Sequence, residues 1–395
     1  MEKLKVLALA RNFMAGGIET SFINFVKYVK DTVDLDLFLC NNSGVLKDQL
    51  DNGLTMYEGN YFIKFLNRAE TFGVKSSKKQ GVKRFVVKFL KFVYNKLGVK
   101  KLFKLLGISI TKKIKQEYDC AICFYAQSEI CSDLLLKKIN AKKKFAVIHA
   151  DVSKFELDKK VVKLLARYDK ILCVSQSCAE IFKRKYKELS SNVDYLYNFQ
   201  NNEKIKIKSN DFKITYPNTF NIATVARLCE GEKGFTRSLS IFKRLHDEGY
   251  KFHWNIIGDG LDRWLVEKFI EDNSMDQYVT LYGNQSNPYP YVKAADLFYL
   301  GSYHEAAPVV CFESMILGVP VLTTGTSSAK ELVGNNGFIC ENNEKDIYEN
   351  MKFILDNKHL LEKERQKLKD YMFDNESNKK RFLELIREEK DEKQN

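Results

Sequence analysis

Proline is scarce in this chain, with five among 395 residues, and histidine equally so. There is no low-complexity block and no internal repeat, so the composition is that of a globular protein. No stretch reaches 18 uninterrupted apolar residues, which argues against a membrane-spanning helix. The first apolar run, residues 6–10, is short for a signal peptide and reads as a strand. Acidic residues are missing altogether from residues 75–115, where fourteen Lys or Arg stand. The whole-chain formal charge is +13, so the remainder is close to neutral. The nine cysteines are scattered. Cys120 and Cys123 make one C-x-x-C, but within a strand-like run their thiols point to opposite faces. With no second pair at zinc spacing, they read as reduced core residues of a cytosolic protein.

The length suits two domains. In the first half, apolar runs at residues 6–10, 33–40, 120–125, 145–148 and 170–174 read as strands. Residues 19–30 and 175–186 read as helices. Residues 198–218 are rich in Asn, Lys and Ser and break the pattern. A second alternating series then begins, with strands at 220–225, 252–257, 278–282, 297–300 and 319–323. Such alternation argues for two doubly wound, mostly parallel α/β domains. We expect an N-terminal domain at 1–200, a linker at 201–218 and a C-terminal domain at 219–370. A final helix at 371–395 is expected to pack back on the first domain. Ligands in such sheets lie beyond the carboxyl ends of the strands, here in the cleft between the domains.

The chemistry-bearing residues fall at those ends. Glu305 and Glu313 are eight positions apart around Pro308, which suits a first helical position with its amides open to an anion. Ala306, Ala307 and Val309 fill the turn between them. Arg227 and Lys233 follow another strand, and two cations there can neutralise a diphosphate leaving group. Gly16 and Gly17 open the first helix, and His149 ends a strand with Asp151 two residues on. Gly258, and the run Asn287, Pro288 and Tyr289, occupy two more strand-end loops. Ser328 to Glu331 reads as a helix capping box. Asp34 and Asp36 alternate with apolar residues and read as the solvent face of a strand, not as a metal-binding pair.

The Arg227/Lys233 and Glu305/Glu313 spacings together resemble the signature of retaining glycosyltransferases of the GT-B fold, family 4. The Asn-Pro-Tyr stretch is similar to that of sugar transferases from bacterial surface-polysaccharide clusters. The resemblance implies two Rossmann-like domains facing a central cleft and a nucleotide-sugar donor, expected to be UDP-linked, in the second. It implies that Arg227 and Lys233 hold the diphosphate, Glu313 the ribose and Glu305 the sugar hydroxyls. His149 is then set against the donor sugar. Gly16 and Gly17 let the backbone approach the donor phosphate or the acceptor. Gly258 and residues 287–289 seat the base, and no metal or cofactor is expected. Relatives often carry Gly-Phe where this chain has Ala306-Ala307, which leaves the sugar unassigned. The resemblance is specific over residues 220–333 and weaker before them.

Residues 75–115 interleave cations and apolar residues at helical spacing, a composition suited to an anionic membrane surface. No nucleic-acid recognition motif accompanies the charge. The expectation is a peripheral enzyme at the inner face of the cell membrane, acting on a saccharide or lipid-linked acceptor. Two other classes stay open: a GT-B sugar-nucleotide epimerase, and a non-catalytic partner of a transferase complex.

Overall fold

The computed structural model describes residues 2–13, 16–44, 46–50, 53–71 and 99–388. The first domain is a seven-stranded parallel sheet. Its strands are β1 (Lys5–Ala10), β2 (Asp34–Leu39), β3 (Thr55–Glu58), β4 (Ile114–Cys123), β5 (Ile139–Ile148), β6 (Lys170–Cys173) and β7 (Val193–Tyr195), in the order β3-β2-β1-β4-β5-β6-β7. The second is a six-stranded parallel sheet. It comprises β8 (Phe220–Val225), β9 (Phe252–Ile257), β10 (Val279–Gly283), β11 (Leu297–Leu300), β12 (Val321–Thr324) and β13 (Phe338–Cys340), in the order β10-β9-β8-β11-β12-β13. These are the two doubly wound domains expected. Helices cover both faces of each sheet, so Val6 to Ala10 are all buried and the strand is apolar throughout instead of alternating.

Each sheet reverses direction once, between β1 and β4 and between β8 and β11. Loops leaving neighbouring strands diverge there and open a crevice at the carboxyl edge. The loop after β1 carries Gly16 and Gly17. The loop after β8 carries Arg227 and Lys233, and the loop after β11 carries Glu305.

The last helix, Asn375–Arg387, returns to the first domain. Phe382 packs edge-on against Phe25 at 5.0 Å, and Arg381 pairs with Asp194 and donates to the Tyr195 carbonyl at 3.0 Å. Asn375 and Asn378 exchange side-chain and backbone hydrogen bonds with Gln200 and Tyr197. The chain thus crosses between the domains twice.

Three expectations need correction. The run read as a linker contains a helix, Asn202–Lys208, capped by the Asn201 side chain. Its Asn- and Lys-rich sequence hides the helix because Ile205 is its only buried apolar residue. Asp34 is exposed, but Asp36 is buried and accepts a 2.6 Å hydrogen bond from the Tyr118 hydroxyl. A strand covered on both faces has no solvent side. Ser328 makes no capping bond, and Glu331 serves a different helix, described below. Of the basic segment 75–115, residues 75–98 lie outside the described residues. The rest forms the Val99–Ile110 helix and the start of β4.

Candidate functional site

Beyond β8, the backbone of residues 226–228 stays beside that of 257–259, with Ala226 N donating to Ile257 O and Leu228 N to Asp259 O. Gly258 is required by this approach: at φ +147° a Cβ would overlap the Ala226 carbonyl oxygen. The chain then forms the short helix Glu230–Lys233, whose first amide is held by the Asp262 carboxylate at 2.8 Å. The Glu230 side chain in turn accepts from Thr236 N at 3.0 Å, capping the next helix, Phe235–Asp247. Lys233 is thereby fixed at a rigid turn.

Its ammonium pairs with Glu305, whose Oε1 also accepts from Ser302 Oγ at 2.7 Å. Both side chains are mostly buried, at 17% and 13% exposure. The Glu305 loop is tied down from several sides. Tyr303 N donates to Glu232 O, Thr324 Oγ1 to Ser302 O, and Asn342 Nδ2 to Tyr303 O. Arg237, buried below, donates to Gly301 O and Asn342 Oδ1 at 2.8 Å and stacks on the Tyr303 ring at 3.9 Å. Arg227 stands apart: it is 67% exposed and bridges to Glu232 at 2.7 Å. Each cation of the pair is therefore matched to its own carboxylate.

Pro308 sits at the cap of the Val309–Ile316 helix, one position earlier than expected. The amides of Val309 and Cys311 donate to the carbonyls of Ala307 and Pro308, so the first turn is less open to an anion than the sequence suggests. Glu313, inside that helix, accepts a 3.0 Å bond from the Tyr289 hydroxyl. Burial pushes its carboxyl up to about 7, with Tyr289 and Lys204 opposing the rise. Pro288 caps the Tyr289–Lys293 helix that presents this tyrosine. Asn287 instead holds the inter-domain segment, donating to Lys208 O at 2.8 Å and Asp211 Oδ2 at 2.9 Å.

Across the cleft, His149 follows β5, and burial lowers its pKa to about 4, so the ring is neutral at physiological pH. Its Nε2 is shielded from solvent and has no hydrogen-bond partner among the described residues. Gly16 and Gly17 are exposed at the start of the Gly17–Val29 helix. Glu19 in its first turn is raised by burial, with Tyr125 and Arg11 beside it opposing the shift.

The two domains touch through residues that sequence reasoning did not link. Glu331 accepts from the amides of Gln176 and Ser177 at 2.7 Å and from Ser177 Oγ at 2.5 Å. It thereby caps the first-domain helix Gln176–Lys185, and a carboxylate suits the positive end of a helix. Asp151 accepts from Ser327 Oγ at 2.5 Å. The Ala306 carbonyl accepts from Ser175 Oγ at 3.1 Å, and its side chain is buried in the first domain's core. Ala306 thus faces the opposite domain, and its carbonyl also accepts from Cys178 Sγ at 3.4 Å. The Ser-Gln-Ser run after β6 signals a helix start, but nothing local identifies an acid arriving from 155 residues away.

Comparison with known proteins matches residues 206–374 to the family of Glycosyl transferases group 1. Those residues, less than half of the chain, include the whole second domain. The domain contains Arg227, Lys233, Glu305 and Glu313 together. An uncharacterized glycosyltransferase of Methanocaldococcus jannaschii is 25% identical over 161 residues, 40% of this chain and 39% of that one. The N-acetylgalactosamine-N,N'-diacetylbacillosaminyl-diphospho-undecaprenol 4-alpha-N-acetylgalactosaminyltransferase of Campylobacter jejuni is 26% identical over 210 residues, 52% of this chain and 56% of that one. These matches thus span well under two thirds of either relative. Among solved structures, Anabaena HepE in complex with UDP and glucose superposes with a TM-score of 0.70 at 15% identity, covering 98% of this chain and 100% of that one. The likeness shows the GT-B fold over both domains.

Proposed function

We propose that this protein transfers a sugar from a nucleotide sugar, UDP-linked, to a saccharide hydroxyl with retention of configuration. The observation that carries the reading is the buried Lys233–Glu305 pair at the β8/β11 crevice of a glycosyltransferase domain. When a donor diphosphate enters, the Lys233 ammonium moves from Glu305 to the phosphate. Glu305 is then released to accept hydrogen bonds from the sugar. Arg227 swings from Glu232 to the same diphosphate, and Glu313 takes the ribose hydroxyls. Charge developing on the leaving UDP meets a preorganised cation, which lowers the barrier. The acceptor hydroxyl attacks on the face from which UDP departs and passes its proton to a phosphate oxygen. The cation pair does for the leaving group what a divalent ion does elsewhere, so transfer is expected to persist in chelator.

UDP is favoured because the HepE complex was solved with it. The Campylobacter relative's name describes an undecaprenol-linked acceptor, which supports a lipid-linked saccharide here, met at the inner face of the cell membrane during surface-polysaccharide synthesis. A thermal-shift and hydrolysis screen across UDP-, GDP- and ADP-sugars tests the reading. One UDP-sugar should stabilise the protein and release UDP, and equal indifference to all three classes would overturn it.

A further inference from the structure

Beneath the Lys233–Glu305 pair lies a cation that the proposed reaction does not use. Arg237 is 7% exposed. Among the described residues no carboxylate pairs with it. Its Nη2 donates to two neutral oxygens, Gly301 O and Asn342 Oδ1, each at 2.8 Å. Its Nε is shielded and has no hydrogen-bond partner among the described residues. A guanidinium buried without a counter-ion is costly, and an apolar residue of similar volume often leaves a fold as stable or more so. Stability alone therefore does not account for this side chain.

Its surroundings do. Arg237 stands near the start of the Phe235–Asp247 helix, one turn beyond Lys233, so it moves with the Lys233 turn. The groups it binds belong to the loop after β11 or hold that loop. Gly301 opens the loop, the Tyr303 ring lies against the guanidinium at 3.9 Å, and Asn342 Nδ2 donates back to Tyr303 O at 2.7 Å. Gly234 lets the two segments approach. At φ +61°, a Cβ there would come within 3.0 Å of Gly301 O and 3.1 Å of both Arg237 Nε and Tyr303 Cε2. Between the clamped residues sits Ser302, whose Oγ donates to Glu305 Oε1 at 2.7 Å. The clamp thus runs from the helix of one loop to the carboxylate of the other.

This tie matters at one moment. While Lys233 pairs with Glu305, the ion pair itself joins the two loops. Once Lys233 turns to the diphosphate, that link is gone. Arg237 and the bond from Tyr303 N to Glu232 O still hold them. Arg237 is too deeply buried to serve the donor directly.

We propose that Arg237 is a positioning residue for sugar transfer: it locks the Glu305 loop to the Lys233 turn, so that Glu305 stays in register with the sugar after Lys233 has left it. The inference rests on the transferase reading and adds to it a residue that touches no substrate.

The test is steady-state UDP release from the UDP-sugar that the wild type turns over, together with amide hydrogen exchange. Arg237→Met should lower kcat by at least ~10-fold, the scale of a small misplacement at a reacting centre. The donor KM should stay within about threefold, because Arg227, Lys233 and Glu313 remain. Arg237→Lys should not restore kcat, since an ammonium cannot lie on the Tyr303 ring and reach both oxygens. Asn342→Ala breaks the same clamp from the half-buried side and leaves the helix intact, so it should lower kcat in the same direction even if Arg237→Met does not fold. In Asn342→Ala and Arg237→Lys the amides of residues 302–305 should exchange faster than in the wild type. Wild-type kcat in Arg237→Lys or Asn342→Ala would overturn the proposal, as would a loss carried wholly by KM, a loss that only tracks the folded fraction, or unchanged exchange in that loop. Failure of the transferase reading would appear separately, as no UDP release by the wild type.

Discussion

The two walls of the cleft handle polarity in opposite ways. On the second-domain wall the charged groups expected to meet the donor already have partners: Lys233 with Glu305, Arg227 with Glu232, and Glu313 with Tyr289. On the first-domain wall His149 Nε2 and Ser128 Oγ are shielded without a hydrogen-bond partner among the described residues. A wall of matched charges is suited to an anionic ligand that exchanges partners. Shielded neutral groups such as His149 and Ser128 are suited to hydroxyls. This contrast fits a charged donor on one side and a sugar acceptor on the other.

The strongest way to break the contrast is at Lys233. Lys233→Ala should lower turnover by ~10²–10³-fold, the usual scale for removing one preorganised group facing developing charge. Measured UDP release within a few fold of wild type would remove the second wall's special status. Next comes the contact that joins the walls. Glu331→Ala removes three charge-assisted hydrogen bonds across the interface, each worth about 1.5–3 kcal/mol. It should enlarge the radius of gyration in solution scattering and lower kcat/KM by roughly 10-fold, with Glu331→Gln between it and wild type.

The walls should also differ in pH dependence. Glu313 has its folded pKa raised from 4.5 to about 7. Between those values the folded state holds the extra proton, so its contribution to stability falls as pH rises and levels off above 7. His149 has its folded pKa lowered from 6.5 to about 4. There the unfolded state holds the extra proton, so the contribution is fully present above 6.5 and is lost as pH falls towards 4. Thermal melts between pH 4 and 8 should show Glu313→Gln gaining on wild type towards high pH. His149→Asn should gain on it towards low pH. Parallel curves for all three proteins would mean that burial does not separate the two walls. The smallest effect is expected at Arg227: an exposed pair contributes up to about 1 kcal/mol, so Arg227→Ala should leave the melting temperature nearly unchanged while weakening donor binding.

Much of this was legible in the residues. The parallel sheets follow from apolar runs separated by helical periods, because a strand buried on both faces must be apolar throughout. The Arg227–Lys233 and Glu305–Glu313 spacings each run from a strand-end loop into the helix that follows it, so local chain geometry keeps their members close together. Less legible were elements whose apolar signal is short or divided. The strand β7 has three residues, and the Asn202–Lys208 helix buries one apolar side chain. Asp36 was misread because alternation implies a solvent face only where a sheet has one.

The sequence by itself determined two doubly wound domains, the edge at which chemistry occurs and the residue types placed there, since all of these depend on local periodicity and short spacings. Only the tertiary structure decided the partners. Lys233 neutralises Glu305 instead of standing open, Glu331 caps a helix in the other domain, and Ala306 is buried in the opposite core. These pairings join positions 72, 155 and 131 residues apart. An ion pair or a cap depends on which atoms meet in space, and no local pattern encodes that meeting.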